Sequence, residues 1–287
     1  MKKVCVIGYP AKHSLSPAIH NYWLDKYGID GKYEIREIEP DNFDEFFHNL
    51  QNEGYVGCNI TLPFKERAFK LLKEMDGDLG VQENAMGAIN TVGILPGGVY
   101  KGVNTDGIGF LKNLEANFDA DFKNGKIVIL GAGGAARAII VGLIVSGVKE
   151  LYLLNRTKHK ADKIKNEIES LFADASVITV RWEERNDTLK KATVLINTTS
   201  MGMVGQPELD INLDYLPKYT LVTDIVYRPL ITPLLKVAKE RGNPVVDGLG
   251  MLLYQAVSGF EMWFAEELNG RKVEVTAELR AKVEALL

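Results

Sequence analysis

Cysteine is nearly missing from this chain: Cys5 and Cys58 are the only two in 287 residues. So few thiols exclude a disulfide framework and fit a reducing compartment. The four histidines, His13, His20, His48 and His159, show none of the spacings that metal sites use, and no metal is expected. Excess basic charge is missing too. The net charge is −4 with both signs mixed, which leaves no basic stripe for nucleic acid. Internal repeats and low-complexity tracts are absent from the sequence. A signal-peptide pattern is also lacking before the apolar run Val4-Cys5-Val6-Ile7, so the expected location is the cytoplasm. The longest apolar stretch, Ile127 to Val148, is interrupted only by Arg137 and Ser146. Its glycines fall where a strand–turn–helix needs them, so a buried βαβ unit is expected there and not a membrane span.

What is present describes a globular α/β protein. Hydrophobic residues make up 46% and charged residues 25% of a chain whose length is typical of two domains. Over the first hundred residues, strands at 4–7, 33–38 and 55–60 alternate with helices at 17–26, at 41–52 and from Pro63. Short extended pieces follow around 88–94 and 99–102. This pattern predicts an α/β domain with a largely parallel sheet. A second series has apolar strands at 127–130, 150–154, 176–180, 193–197 and 220–225, joined to the first through a helix at about 107–117. A long amphipathic helix over 249–265 carries Leu249, Leu252, Leu253, Ala256, Val257, Phe260, Trp263 and Phe264 on one stripe. It is expected to return to the first domain. The resulting domains are 1–106, completed by the helices of 248–287, and 107–247, with a cleft between them. The helical pattern of 273–287 suggests packing only.

The segment Gly131-Ala132-Gly133-Gly134-Ala135-Ala136, after the strand Ile129-Leu130, is the strongest single motif. A strand opening through glycines into a helix presents backbone N–H groups and a helix N-terminus to a pyrophosphate. Its first glycine allows the tight turn, and its second lets the backbone approach the phosphates. Versions that bind NAD place Asp or Glu about 20 residues on to hold the ribose 2′-OH. Here the next strand ends in Asn155-Arg156-Thr157, with Lys158 and Lys160 behind. A guanidinium in place of a carboxylate suits a 2′-phosphate, so NADP is the expected cofactor.

Other polar groups cluster at strand ends. In Ser14-Leu15-Ser16-Pro17, Ser16 reads simply as an N-cap with Pro17 at the first helical position, an explanation that leaves Ser14 over. Both hydroxyls could also face a polyol or carboxylate. Asn59 and Thr61 share a strand face. Lys65 falls in the first helical turn, where the dipole disfavours an ammonium, an arrangement suited to proton transfer. On pattern alone the reading as a solvated cation is favoured, as it is for Lys70 and Lys73. Asn90 and Asp106 stand at two further strand ends. Asp106 is either an N-cap or a partner for Lys65. The loop Asn197–Met203 follows a buried strand, which makes Thr198, Ser200 and Met201 candidate cofactor contacts. Tyr227 ends the next segment, and Gln255 lies off the apolar stripe, where solvent exposure would explain it as well as a ligand would.

Taken together, from Gly8-Tyr9-Pro10-Ala11-Lys12-His13-Ser14-Leu15-Ser16-Pro17 to Asp247-Gly248-Leu249-Gly250-Met251, these motifs resemble the shikimate dehydrogenase family. The resemblance covers nearly the whole chain. It implies an N-terminal α/β substrate domain, a Rossmann-type NADP-binding domain, and reversible reduction of 3-dehydroshikimate to shikimate in aromatic amino-acid (chorismate) biosynthesis. It places substrate contacts at Ser14, Ser16, Thr61 and Asn90, with Tyr227 and Gln255 completing them, and Asn59 on the Thr61 strand face is a further candidate contact. Lys65 and Asp106 become the catalytic lysine and aspartate. Gly131 to Ala135 would hold the pyrophosphate and Asn155 to Lys160 the 2′-phosphate, while Ile225, Gly248 and Met251 would line the nicotinamide region. The expected partner is the small-molecule substrate, and the protein is expected to be a monomer or homodimer. A quinate/shikimate dehydrogenase using NAD or NADP is the nearest alternative. A non-catalytic NADP-sensing regulator is the alternative of another class.

Overall fold

The computed structural model describes residues 1–118 and 123–287. The chain divides into two compact units, Met1–Asp106 with Leu253–Leu286, and Gly107–Leu252 with Leu287. Among the described residues, no helix is long and apolar enough to cross a membrane.

The first unit opens with β1 (Lys2–Gly8), α1 (Ser16–Tyr27), β2 (Gly31–Glu37), α2 (Phe43–His48), β3 (Tyr55–Ile60) and α3 (Lys65–Glu74). Then come β4 (Asp78–Leu79), α4 (Val81–Met86), β5 (Thr91–Ile94) and β6 (Tyr100–Val103). The six strands form one sheet in the order β2-β1-β3-β5-β6-β4. Val4, Cys5, Val6 and Ile7 on β1 are all buried, as a strand covered on both faces requires. The sheet is largely parallel with one exception: β1 runs parallel to β2 and β3, and β4 to β6, whereas β5 is antiparallel to both its neighbours, β3 and β6. The reason is local. Leu95 to Val99 closes a short loop with Gly97 and Gly98 at positive φ, and so short a link can join only antiparallel strands. Residues 41–52 are also less helical than expected, because α2 ends at His48, where the Asn49 side-chain amide bonds the Glu45 carbonyl.

The second unit holds α5 (Asp106–Asn117, from its second residue), β7 (Ile127–Leu130), α6 (Gly134–Val145), β8 (Glu150–Leu154), α7 (Lys158–Leu171) and β9 (Ser176–Val180). It continues with α8 (Arg185–Leu189), β10 (Val194–Asn197), β11 (Leu221–Asp224), α9 (Pro233–Glu240) and β12 (Val245–Val246). Its strands are parallel throughout, in the order β12-β11-β10-β7-β8-β9. Counted within the unit this is 3-2-1-4-5-6 read from the other edge, the doubly wound arrangement whose order reverses between β7 and β10. Ligands of such sheets sit at the carboxyl ends of the strands flanking that reversal. The Ile127–Val148 stretch forms β7, a glycine turn and α6, with the strand and most of the helix buried and the turn open at Gly133.

The chain then enters α10 (Leu249–Trp263), followed by α11 (Ala265–Leu268) and α12 (Ala277–Glu284). From Leu253 onward these belong to the first unit. Phe260 and Trp263 pack there with Trp23, Tyr33 and His20. Trp263 donates from its indole to the Val92 carbonyl at 2.8 Å. This close approach needs Gly57, because a Cβ there would run into the indole. Leu279 and Val283 of α12 are buried, and Trp23 bonds the Glu274 carbonyl at 3.0 Å, so the C-terminal segment is packed as expected.

Candidate active site and cofactor loops

In the first unit the polar side chains gather at the ends of β3 and β5 and after β6. β3 delivers Asn59 and, just beyond it, Thr61. A turn closed by Phe64 N–H to the Thr61 carbonyl then makes Lys65, not Pro63, the first residue of α3. The Lys65 ammonium meets the Asp106 carboxylate at 2.6 Å, with side-chain exposures of 27% and 14%. Such partial burial strengthens the pair while leaving it reachable by a small molecule. The carboxylate of Asp106 does not cap its own helix. One oxygen takes Lys65 and the other accepts the Asn90 amide at 2.8 Å, while the Asn104 side chain accepts the Asp106 backbone N–H. Asn104 is held in turn by buried Glu83 of α4, whose carboxylate accepts its N–H.

Around that pair the amides are ordered. The Asn90 oxygen accepts the Thr105 N–H at 2.9 Å, and the Thr105 hydroxyl reaches Gln255 at 3.1 Å. Gln255 is buried, so the solvent explanation for it fails. Asn59 is bonded to Tyr33, Thr91 and the Asn90 carbonyl. Ser16 is not an N-cap: Leu15 holds that place, and Ser16 is the first helical residue, its N–H donating to the Ser14 hydroxyl at 3.3 Å. Ser16 is buried beside the Tyr33 phenol. The structure thus ties Asn59, Lys65, Asn90, Asp106 and Gln255 into one bonded cluster. Tyr33, Thr91, Thr105 and Glu83 join it without having been singled out in the sequence. Alternation on β5 could have pointed to Thr91, but nothing local signals Tyr33.

In the second unit, Gly131 turns at φ +107, its N–H donating to the Leu154 carbonyl. A Cβ there would be strained and would meet Thr198. Gly133 caps α6, and a Cβ on Gly133 or Gly134 would meet nothing within 4 Å. Ala132 and Ala135 flank this open cradle, and Ala136 behind it is fully buried. Thr198 bonds the Leu130 carbonyl at 2.7 Å, which fastens the loop bearing Ser200 and Met201 across the strand-order reversal. That loop is also organised by Asn197, which accepts from Thr199 and donates to buried Asp224 at 3.0 Å. Burial raises the Asp224 carboxyl from its ordinary value, against three hydrogen bonds that hold it charged. Gly248 lies against the Ile225 carbonyl, where a Cβ would collide, and Met251 follows in the first turn of α10. Tyr227, after β11, is mostly buried, which pushes its phenol up.

At the end of β8 the Asn155 amide bonds the Thr157 carbonyl at 2.8 Å, and Arg156 is exposed. Thr157 caps α7 without a side-chain cap bond. Lys158 directs its ammonium to Asp162 at 2.6 Å and Thr179 at 3.2 Å, while Lys160 is exposed. An open glycine cradle at a helix N-terminus, with an exposed guanidinium at the next strand end, fits a dinucleotide bearing a 2′-phosphate. Among the described residues no cluster could hold a metal ion.

The family model for the shikimate dehydrogenase substrate binding domain matches residues 6–92, and that for shikimate / quinate 5-dehydrogenase matches residues 113–208. The shikimate dehydrogenase (NADP(+)) of Dinoroseobacter shibae is 46% identical over 96% of this chain and 95% of its own. Solved structures are similar throughout the chain as well. The shikimate 5-dehydrogenase of Thermus thermophilus, in complex with NADP(H) and shikimate, superposes with a TM-score of 0.85 at 30% identity, covering 100% of both chains. The quinate dehydrogenase of Corynebacterium glutamicum, in complex with NAD, gives a TM-score of 0.88 at 26% identity, covering 99% of each chain. With the two-unit fold and the ordered polar cluster already in place, these matches settle the family: the chain belongs to the shikimate dehydrogenases.

Proposed function

We propose that the chain reduces 3-dehydroshikimate to shikimate, reversibly, as an NADP-dependent oxidoreductase of aromatic amino-acid biosynthesis, with Lys65 as general acid and base. The observation that carries the mechanism is the 2.6 Å Lys65–Asp106 pair, bonded through Asn90 to the rest of the polar cluster. NADPH supplies the hydride that goes to the ketone carbon. Lys65 gives a proton from its ammonium to the oxygen that becomes the hydroxyl, and the neutral amine regains a proton from solvent. In the oxidative direction the same amine takes the hydroxyl proton. Asp106 holds the ammonium by one oxygen, so the proton donor is oriented before substrate arrives.

Ser14, Ser16, Asn59, Thr61, Asn90, Gln255 and Tyr227 are proposed as substrate contacts, beside Lys65 and Asp106. For the cofactor, Gly131 to Ala135 would hold the pyrophosphate at the start of α6. Arg156, Thr157 and Lys160 would hold the 2′-phosphate, with Asn155 shaping the turn. Lys158, already paired, would add charge more than a direct bond. Thr198, Ser200, Met201, Ile225, Gly248 and Met251 would flank the nicotinamide. A cytoplasmic location goes with this reading, supported by the two free, buried cysteines.

The test follows absorbance of reduced nicotinamide with shikimate and NADP, shikimate and NAD, and quinate with each. Strong reduction with shikimate and NADP alone is the expected result. Equal rates with quinate or NAD would favour the second reading, a quinate/shikimate dehydrogenase, which the similarity to the quinate enzyme keeps in play. Tight NADP binding with no turnover in any pairing would instead indicate a cofactor-sensing protein.

A further inference from the structure

The Asn59 amide is almost fully engaged inside the protein. Its nitrogen donates to the Asn90 carbonyl at 3.2 Å and to the Thr91 hydroxyl at 2.9 Å, and its oxygen accepts the Tyr33 phenol at 2.6 Å. Two backbone groups set the polarity of this region. The Asn90 carbonyl can only accept, so it fixes which end of the Asn59 side chain is nitrogen. The Thr105 N–H can only donate, so it fixes the Asn90 side-chain oxygen toward itself and the Asn90 nitrogen toward Asp106.

Thr91 stands between these two amides. Its hydroxyl accepts from Asn59 and gives its single proton to the Asn90 oxygen at 3.1 Å. Every bond then points one way, from Tyr33 to Asn59, Thr91, Asn90 and the Asp106 carboxylate, whose other oxygen takes Lys65. Bonds aligned in this sense polarise one another in a low-dielectric interior. Thr91 is fully buried and Tyr33 nearly so, with the His20 ring stacked on the phenol at 4.2 Å.

We infer that Thr91 is a positioning residue for the reaction: its hydroxyl, relaying the Tyr33–Asn59 pair to Asn90, holds the Asn90 amide and through it the Asp106 carboxylate in the orientation that presents Lys65. Asn59 acts in the same relay. The inference rests on the proposed roles of Lys65 and Asp106.

The test is Thr91→Val, nearly isosteric but without the hydroxyl, beside Thr91→Ser, Lys65→Ala, Asn90→Ala and the Asn90→Ala/Thr91→Val double variant. Expected is a fall of about 10-fold in kcat for Thr91→Val, the scale of one broken buried hydrogen bond, with KM for NADP unchanged and most of kcat restored by serine. In the Asn90→Ala background the relay is already cut, so adding Thr91→Val should cost less than about 2-fold by the non-additivity of coupled sites (about 10-fold would mean independence). Full turnover of Thr91→Val with loss in Lys65→Ala overturns the inference alone. Full turnover in both overturns the catalytic pair and the inference together. A loss that serine fails to rescue and that tracks a drop in Tm, or an undiminished loss in the Asn90→Ala background, also overturns it.

Discussion

The two units solve recognition in opposite ways. In the first, the proposed site is made of side chains already bonded to one another: Asn90 uses both ends of its amide, and Asp106 uses both carboxylate oxygens. In the second, the glycine turn offers backbone and empty space at Gly133 and Gly134, with an exposed Arg156 at the next strand end. The contrast follows from what each must hold. A pyrophosphate carries its own charge and is satisfied by N–H groups and a helix dipole, which demand room more than side-chain chemistry. A proton transfer to a small polyol acid demands donors fixed in advance, because misplacement raises the barrier directly. Substitutions in the first unit should therefore lower turnover, and those in the second should weaken cofactor binding.

The largest effect sharpens that division. Lys65→Ala should lower kcat by about 10²–10⁴-fold, the usual scale of general acid–base catalysis, with cofactor affinity preserved. Steady-state kinetics read it, and a variant with near wild-type kcat would remove Lys65 from the chemistry. Arg156→Ala should raise KM for NADP by about 10–100-fold, the value of charge-assisted hydrogen bonds to a phosphate, while leaving any rate with NAD unchanged. An equal change for both cofactors would mean that Arg156 does not read the 2′-phosphate.

The smallest effect concerns stability. His20 in the first unit is wholly buried, and burial lowers its pKa from 6.5 to about 3 against a smaller opposing effect of the nearby Asn59 side chain. The unfolded chain takes up a proton below about pH 6.5 that the folded chain refuses until about pH 3. This histidine therefore destabilises the fold as pH drops through that window, by up to about 1.4 kcal/mol per pH unit. His20→Phe, which keeps the stack on Tyr33, should lose less stability between about pH 7 and about pH 4.5 in urea titrations. Equal losses in variant and wild type would show that the imidazole is protonated in place without penalty.

Much of this was legible in the chain. Strands 55–60, 127–130, 150–154 and 176–180 coincide with β3, β7, β8 and β9, because continuous apolar runs bounded by turns leave few alternatives. The glycine turn was equally plain, since positive φ at Gly131 and open space at Gly133 need that residue type. Short elements escaped notice. β4, β12 and α4 have two to six residues, too few for any periodicity to register. The direction of β5 was also hidden, being set by the loop that follows it.

The sequence by itself determined the two-series α/β pattern and the NADP-type turn, because these rest on local periodicity and backbone permissiveness, whereas Lys65 and Asp106 stand out in it only through the family resemblance. Only the tertiary structure decided that Gln255, distant in sequence, is buried against Thr105, and that Ser16 is helical and not capping. It alone joined Tyr33, Asn59, Thr91 and Asn90, from three separate parts of the chain, into one directed set of bonds. Hydrogen bonds act over about 3 Å in space whatever the separation along the chain, so a pattern read along the chain cannot contain them.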